Sequence, residues 1–449
     1  MPGSSGRKAE RVLAINPGST STKVAVFDGD ECLCEGVVRH SSLELGRFER
    51  IWDQYEYRKA AVLEFLADHG IALRSLTAVV GRGGPFRPTV SGTYRVNPEM
   101  VADARNEVQG PHPSNLGAVL AYGIAWDHGL QSFIVDPPCV DELDGVARYS
   151  GIPEIERTSL VHALNIKAIA RTVAADLGKD VCDANLVVAH LGGGVSVCAM
   201  RRGRMVDVSN GLSAGPFTPE RAGTLPTVDL VKMCFSGRYT EAEIMRKLVG
   251  GGGLTAYLGT SDVAEALRRE EKGDAAARGA LAAMVYQIAK EIGSMAVVVG
   301  EDLDAIVLTG GIVKSEVLAE RIASRVRFLA RVVVMPGEDE LRGLALGCLR
   351  VLRGEERAKT YPETVDDGAC AGEAATGGRP RRSGASKGRA GRGLQKHPGR
   401  KGRPPRRRDG QPAGRSQRAR HDDDGRSERG DARPGRGRRR GGSDRDRRR

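Results

Sequence analysis

The sequence predicts an α/β protein made of two copies of one unit around a cleft, followed by a disordered C-terminal tail. Three observations lead there: an internal repeat of strands and turns, glycine-rich turns at equivalent strand ends, and an abrupt change of composition near residue 360. A chain of 449 residues has room for two or three domains of about 100–200 residues each.

The repeat starts at Arg11. The chain reads VLAIN, PGSTST, KVAVF, DGDE and CLCEGVV: a buried strand, a Gly/Ser/Thr turn, a second strand, a hairpin turn and a third strand. The same order returns at Asn185 as LVVAH, LGGG, VSVCAM, RRGR and MVDVS. Each half then carries a helical stretch (residues 57–69 and 275–300) ahead of a run ending in glycines, SLTAVVGRGG and DAIVLTGG. The expected domains are residues 11–138 and 139–336, the second with further helices at 162–177 and 241–248. Residues 340–356, ELRGLALGCLRVLRGEE, have the apolar spacing of an amphipathic helix, which leaves a return to the first domain open. From 360 to 449 Leu, Ile, Val and Phe nearly vanish while Arg, Gly, Asp and Pro dominate. So little apolar area does not offset the entropy of ordering a chain, so this tail is expected to be disordered.

The net charge of +12 is unevenly spread. Residues 366–449 hold 27 Lys/Arg against 11 Asp/Glu, which leaves the first 365 residues near −4. The globular part therefore gives no reason to expect nucleic acid; only the basic tail offers weak, salt-sensitive binding. The eight cysteines form no repeated metal-ligand pattern and read mostly as small hydrophobes. The polar start MPGSSGRKAE and the lack of an apolar run of about 18 residues predict a cytoplasmic chain without a membrane span.

Three glycine-rich turns stand at matching strand ends: NPGSTSTK (16–23), HLGGGVS (190–196) and LTGGI (308–312). Small residues let backbone N–H groups approach an anion, and hydroxyls and Lys23 add donors. One such turn is ordinary hairpin chemistry. Three in a duplicated α/β fold point to a nucleotide cleft beyond the strand ends.

The motifs NPGSTSTK, GRGGP, HPSNLG, VDPP, VHALN, HLGGGVS, GPFTPERAGTLP, GGGLTAYLGTSD, LTGGI and PGEDEL occur in the order they hold in the acetate and butyrate kinase family. The chain resembles that family over about residues 11–356. The resemblance implies two duplicated actin-like ATPase domains (the fold of acetate and sugar kinases, Hsp70 and actin) around a cleft. It also implies ATP/ADP and Mg²⁺ as cofactors. Asn16, Ser19, Ser21 and Lys23 would lie in the first phosphate turn, with Asn16 near the metal. Arg82 would hold the substrate carboxylate and Arg221 would face the transferring phosphoryl group. Asp136 would be the catalytic aspartate and His162 would stabilise the transition state. His190, Gly192, Gly193 and Gly194 would contact nucleotide phosphates, and Gly310 and Gly311 the adenosine side. Glu340 would help hold Mg²⁺, with Glu338 a close rival. His112 stays open between a site role and a turn role beside its prolines.

These residue types suit carboxylate phosphorylation. The acceptor is already ionised at neutral pH, so the difficulty is bringing two anions together. Arginines, a histidine and Mg²⁺ offset that repulsion. Asp136 then orients the site rather than removing a proton. Acetate kinases carry FHGTSH where this chain reads VHALN followed by Ile166, so butyrate or isobutyrate is the expected substrate. Acetate or propionate kinase is the alternative, and an RNA-binding protein acting through the tail is the alternative of another class. A homo-oligomer, dimer or higher, is expected by resemblance.

Overall fold

The computed structural model describes residues 10–362. The first half contains β1 (Arg11–Pro17), β2 (Ser21–Asp28), β3 (Glu31–Arg39), the short α1 (Ser42–Leu45), α2 (Tyr55–Asp68), β4 (Ala78–Arg82), β5 (Thr93–Arg95), α3 (Pro98–Asn106), α4 (Asn115–Asp127) and β6 (Gln131–Val135). The second contains α5 (Ala163–Asp176), β7 (Leu186–Leu191), β8 (Val195–Arg201), β9 (Arg204–Val208), α6 (Thr227–Cys234), α7 (Glu241–Leu248), α8 (Gly253–Leu258), α9 (Val263–Glu271), α10 (Ala275–Val299), β10 (Ala305–Gly310), α11 (Glu316–Val326) and β11 (Val332–Pro336). Two elements close the described chain, α12 (Glu340–Leu352) and β12 (Lys359–Thr360).

The strands form two sheets, ordered β12-β5-β6-β4-β1-β2-β3 and β11-β10-β7-β8-β9. In each, a first strand pairs antiparallel with a hairpin partner on one side and parallel with a later strand on the other. The run β6-β4-β1-β2-β3 thus repeats β11-β10-β7-β8-β9 in order and direction. The duplication extends to single residues. Asn16 opposes Lys23 in the first hairpin, and His190, also the penultimate residue of its strand, opposes Ser196 in the second.

Period-two alternation sends side chains to both faces of each sheet. Leu13, Ile15, Val24 and Val26 pack on Val62, Phe65 and Leu66 of α2 and on Leu116, Leu120 and Ile124 of α4. Val12, Ala14 and Ala25 face the other way onto Leu341, Leu344, Ala345 and Cys348 of α12. In the second sheet Val187, Ala189 and Leu308 meet α10, while Val188, Cys198 and Val307 meet Ile166, Ala170 and Val173 of α5. Helices α5 and α12 therefore lie between the sheets, with Leu164 of α5 reaching the first-sheet core. Gly347 lets α12 seat on β6, since a Cβ there would strike the side chain of Val135.

Four expectations change. The amphipathic helix expected over 340–356 stops at Leu352. Residues 359–361, placed partly in the tail, belong to the fold: β12 pairs with β5, and buried Tyr361 hydrogen-bonds Asp103 through its hydroxyl at 2.6 Å. The rest of the tail, 363–449, lies outside the described residues. Helix α10 is long and apolar enough to cross a membrane by length and composition; the residues it buries, Leu281, Met284, Ile288 and Ile292 among them, form the core of the second sheet. Among the described cysteines only Cys139, Cys198 and Cys348 are buried, while Cys32 and Cys234 are exposed.

Candidate active site

The candidate residues come from strand ends, a helix start and a loop. Arg82 is the last residue of β4, a strand buried throughout. Here α4 approaches β4 so closely that a Cβ on Gly81 or Gly117 would overlap the other segment's backbone. Arg82 is nearly buried. It pairs with Glu340, which also accepts a hydrogen bond from Asn16 Nδ2. Burial pushes the Arg82 guanidinium down to about 10, opposed by Glu338. Its Nε is a buried donor without a hydrogen-bond partner among the described residues.

The second half supplies the histidines. His162 holds the N-cap position of α5 without a side-chain capping bond, His190 is the penultimate residue of β7, and their rings stack 3.9 Å apart at an interplanar angle of 14°. His162 Nδ1 lies 3.0 Å from Ser196 Oγ. His190 Nδ1 lies 2.8 Å from Asn165 Oδ1, and its Nε2 is 3.2 Å from Glu338 Oε1. The hydrogen bond from His190 is the main cause of a lowered Glu338 pKa, with Lys23 and Arg82 adding to it. Burial holds His162 well below its ordinary value, and His190, Arg82, Arg221 and His112 push the same way. Four cationic or ionisable groups from both halves therefore act on one ring.

Arg221 comes from the loop after β9, where its backbone bridges to Val249. Its guanidinium is 2.5 Å from the Gly211 carbonyl, and its buried Nε has no partner. Gly194 fits beneath it: a Cβ there would come within 2.7 Å of the guanidinium and 3.2 Å of His162. Gly192 likewise faces Glu338 and His190. Gly310 adopts φ +97 and bridges to Gly337, which brings the end of β10 to the loop carrying Glu338. A Cβ at Gly311 would meet open space.

In the first hairpin turn, Ser19 is exposed, and Ser21 and Lys23 are half-buried. His112 keeps part of its surface exposed, with Nδ1 2.7 Å from Ser114 Oγ; desolvation of the inward part of its ring, then Arg82 and Arg221, lower its pKa. It therefore sits near both arginines while also shaping the turn into α4.

Asp136 is arranged differently. It follows β6 in a left-handed backbone conformation at φ +39, which is strained for a residue with a Cβ. Its buried carboxylate accepts from Ser91 Oγ at 2.6 Å and Gly92 N at 2.8 Å, and Arg171 approaches to 3.7 Å. These contacts hold the loop before β5; none joins Asp136 to Arg82, His162 or Arg221.

Sequence reasoning missed Asn165, Ser196 and Arg58. Asn165 lies one helical turn from His162, and Ser196 opposes His190 in the hairpin, so both follow from register. Arg58 is a charged residue on the apolar face of α2, in step with Val62, Phe65 and Leu66.

The donor set fits Mg²⁺. Glu340 and Glu338 offer carboxylates and Asn16 an amide, all hard oxygen ligands. Among the described residues no three His, Cys, Asp or Glu gather into a metal cage. When bound, Mg²⁺ would neutralise phosphate charge.

Residues 155–332 match the Acetokinase family. The structure resembles an acetate kinase from Porphyromonas gingivalis at TM-score 0.65 and 19% identity, over 77% of this chain and 100% of that one. It also resembles a propionate kinase from Francisella tularensis subsp. tularensis SCHU S4 (TM-score 0.59, 20% identity, 75% and 98% of the chains). A third likeness is to the acetate kinase of Entamoeba histolytica (TM-score 0.62, 18% identity, 75% and 98%). The fold is thus the two-sheet, actin-like α/β fold of the acetate kinases, and the acetokinase match covers the half that carries His162, His190, the GGG turn and Arg221.

Proposed function

We propose that this chain is an ATP-dependent kinase that phosphorylates a short-chain carboxylate, with butyrate or isobutyrate as the preferred acid and the reverse reaction making ATP. The observation that supports this reading is that Arg82 and Arg221, one from each half, both act on the buried ring of His162, with Gly194 packed against Arg221 and that ring. The unpartnered Nε of each arginine is a buried donor suited to an anion. In this reading Arg82 orients the acid, and its carboxylate oxygen attacks the γ-phosphorus in line as the bond to ADP breaks. Arg221 and His162 stabilise charge on the moving phosphoryl group. Neutral His162 donates a hydrogen bond rather than a proton. Ser19, Ser21, Lys23 and residues 192–194 would hold phosphates, Gly310 and Gly311 would border adenosine, and Asn16 and Glu340 would hold Mg²⁺. Asp136 would set the geometry of the loop beside the acid.

The domains proposed are residues 11–138 with the returning α12, and residues 139–336. A homo-oligomer is proposed as well. It is supported by α6, which buries none of its own side chains and exposes Val228, Val231 and, just beyond its end, Phe235.

Trapping acyl phosphate with hydroxylamine, using Mg-ATP and acids from acetate to hexanoate, tests the reading. Maximal kcat/KM with butyrate or isobutyrate is expected. A maximum at acetate or propionate would keep the chemistry and replace the substrate, and no hydroxamate from folded protein with any acid would refute the kinase.

A further inference from the structure

The side of the first phosphate turn that faces the protein holds a cation with no role in the scheme above. Arg58, on α2, is completely buried. Its Nη1 donates to Ser21 O at 3.1 Å and to Thr22 Oγ1 at 3.0 Å, its Nη2 to Ser19 O at 3.4 Å, and its Nε to Gln54 Oε1 at 3.0 Å. Every partner is neutral. Among the described residues no carboxylate lies within ion-pair distance of it. The nearest acidic group along its hydrogen-bond chain is Glu44, reached through Thr22, His40 and Tyr57.

A buried guanidinium normally has a counter-ion, because desolvating an unpaired charge is costly. Arginine does not escape that cost by losing its proton. Its position shows what could offset it. Arg58 draws the carbonyls of Ser19 and Ser21 inward, and His40 N holds the carbonyl between them, Thr20 O, at 2.9 Å. Ser21 O also accepts from Gly18 N at 2.7 Å, so the turn is braced from both of its sides. A buried positive charge without a counter-ion, seated directly behind a turn that is exposed at Ser19 and Thr20, is an arrangement for an anion in front of it.

We propose that Arg58 is a positioning residue for phosphate: its unneutralised charge and its grip on the carbonyls of the 19–21 turn create the positive site that receives the nucleotide's phosphate groups. The inference rests on the nucleotide-dependent reading above.

Replacing Gln54 tests it without removing Arg58. Gln54→Glu is isosteric and places a carboxylate on Arg58 Nε, so the charge is cancelled while the packing and the turn's hydrogen bonds remain. A purely structural Arg58 would tolerate the new ion pair or gain from it. The proposal instead predicts that MgADP affinity by calorimetry falls about five- to twentyfold, as expected for losing one charge at roughly 10 Å in a partly polar medium. Adenosine affinity should stay within about twofold, since that ligand has no phosphate for the charge to act on. Arg58→Lys, which keeps the charge, should hold the ADP-to-adenosine ratio near wild type. Unchanged ADP affinity in Gln54→Glu, or equal losses for both ligands, would overturn the proposal. A wild-type chain that binds neither ligand would overturn the kinase reading first, and this inference with it.

Discussion

In the proposed reaction Arg221 and His162 face the phosphoryl group, so Arg221→Ala and His162→Ala should each lower kcat by about 10²–10³, the usual effect of losing one transition-state donor. Circular dichroism should show the fold retained; near-wild-type turnover in both would remove these residues from the mechanism. His162 also makes a prediction about stability. Burial holds its folded pKa well below the ordinary value, whereas the unfolded chain takes up a proton near pH 6.5. The unfolded state therefore binds more protons as pH falls below about 6.5, so this contribution to stability is complete above that pH and is lost below it. Between pH 7.5 and 5.5 the Tm of His162→Asn should fall less than that of the wild type; parallel profiles would contradict the buried neutral ring. The sequence named both residues through their motifs. It did not show that Asp136 turns its carboxylate to Ser91 and Gly92, because that depends on a left-handed backbone at one position and on a loop 45 residues away.

At the level of elements, two close contacts set the site's geometry. Gly117 of α4 abuts the backbone of Arg82, so Gly117→Ala should destabilise the protein by about 2–3 kcal/mol, the cost of overpacking a core. Denaturant unfolding measures this, and a change below about 0.5 kcal/mol would mean that α4 yields there. The second contact is a buried pair. Lys167 of α5 lies 2.6 Å from Glu142, which also accepts from Ser91 N and Met205 N, so one carboxylate ties α5, the loop at Asp136 and the β8–β9 hairpin together. Lys167→Met would strand that carboxylate and should cost about 3–5 kcal/mol, with Glu142→Gln in the same chain recovering part of the loss. The hairpins were legible because alternation and turn residues are local. Helix α4 was not: it is apolar on nearly every side, so it has little of the periodicity that marks a surface helix, and HPSNLG before it reads as a turn. The end of α12 and the strand β12 were missed for the opposite reason, since RGEERAKTY is polar and gains its structure from pairing with β5.

Across the whole molecule, the duplication of the two sheets was legible in the repeated order of strands and glycine turns. The surface was less legible. Helix α6 is short and keeps Val228 and Val231 in solvent, which nothing in its own chain segment explains. If it joins subunits, Phe235→Glu should shift the protein to monomer by light scattering while leaving its far-UV spectrum unchanged; an unaltered mass would place the interface elsewhere. In the proposed reaction a carboxylate oxygen of the acid attacks phosphorus directly. The most direct measurement supplies butyrate with both oxygens as ¹⁸O, Mg-ATP and hydroxylamine, and analyses the released phosphate by mass spectrometry. Hydroxylamine attacks the acyl carbon, so phosphate leaves with the oxygen that bridged it to the acid. One ¹⁸O in each phosphate is the predicted result, whereas ATP consumed with unlabelled phosphate would contradict direct transfer to the acid.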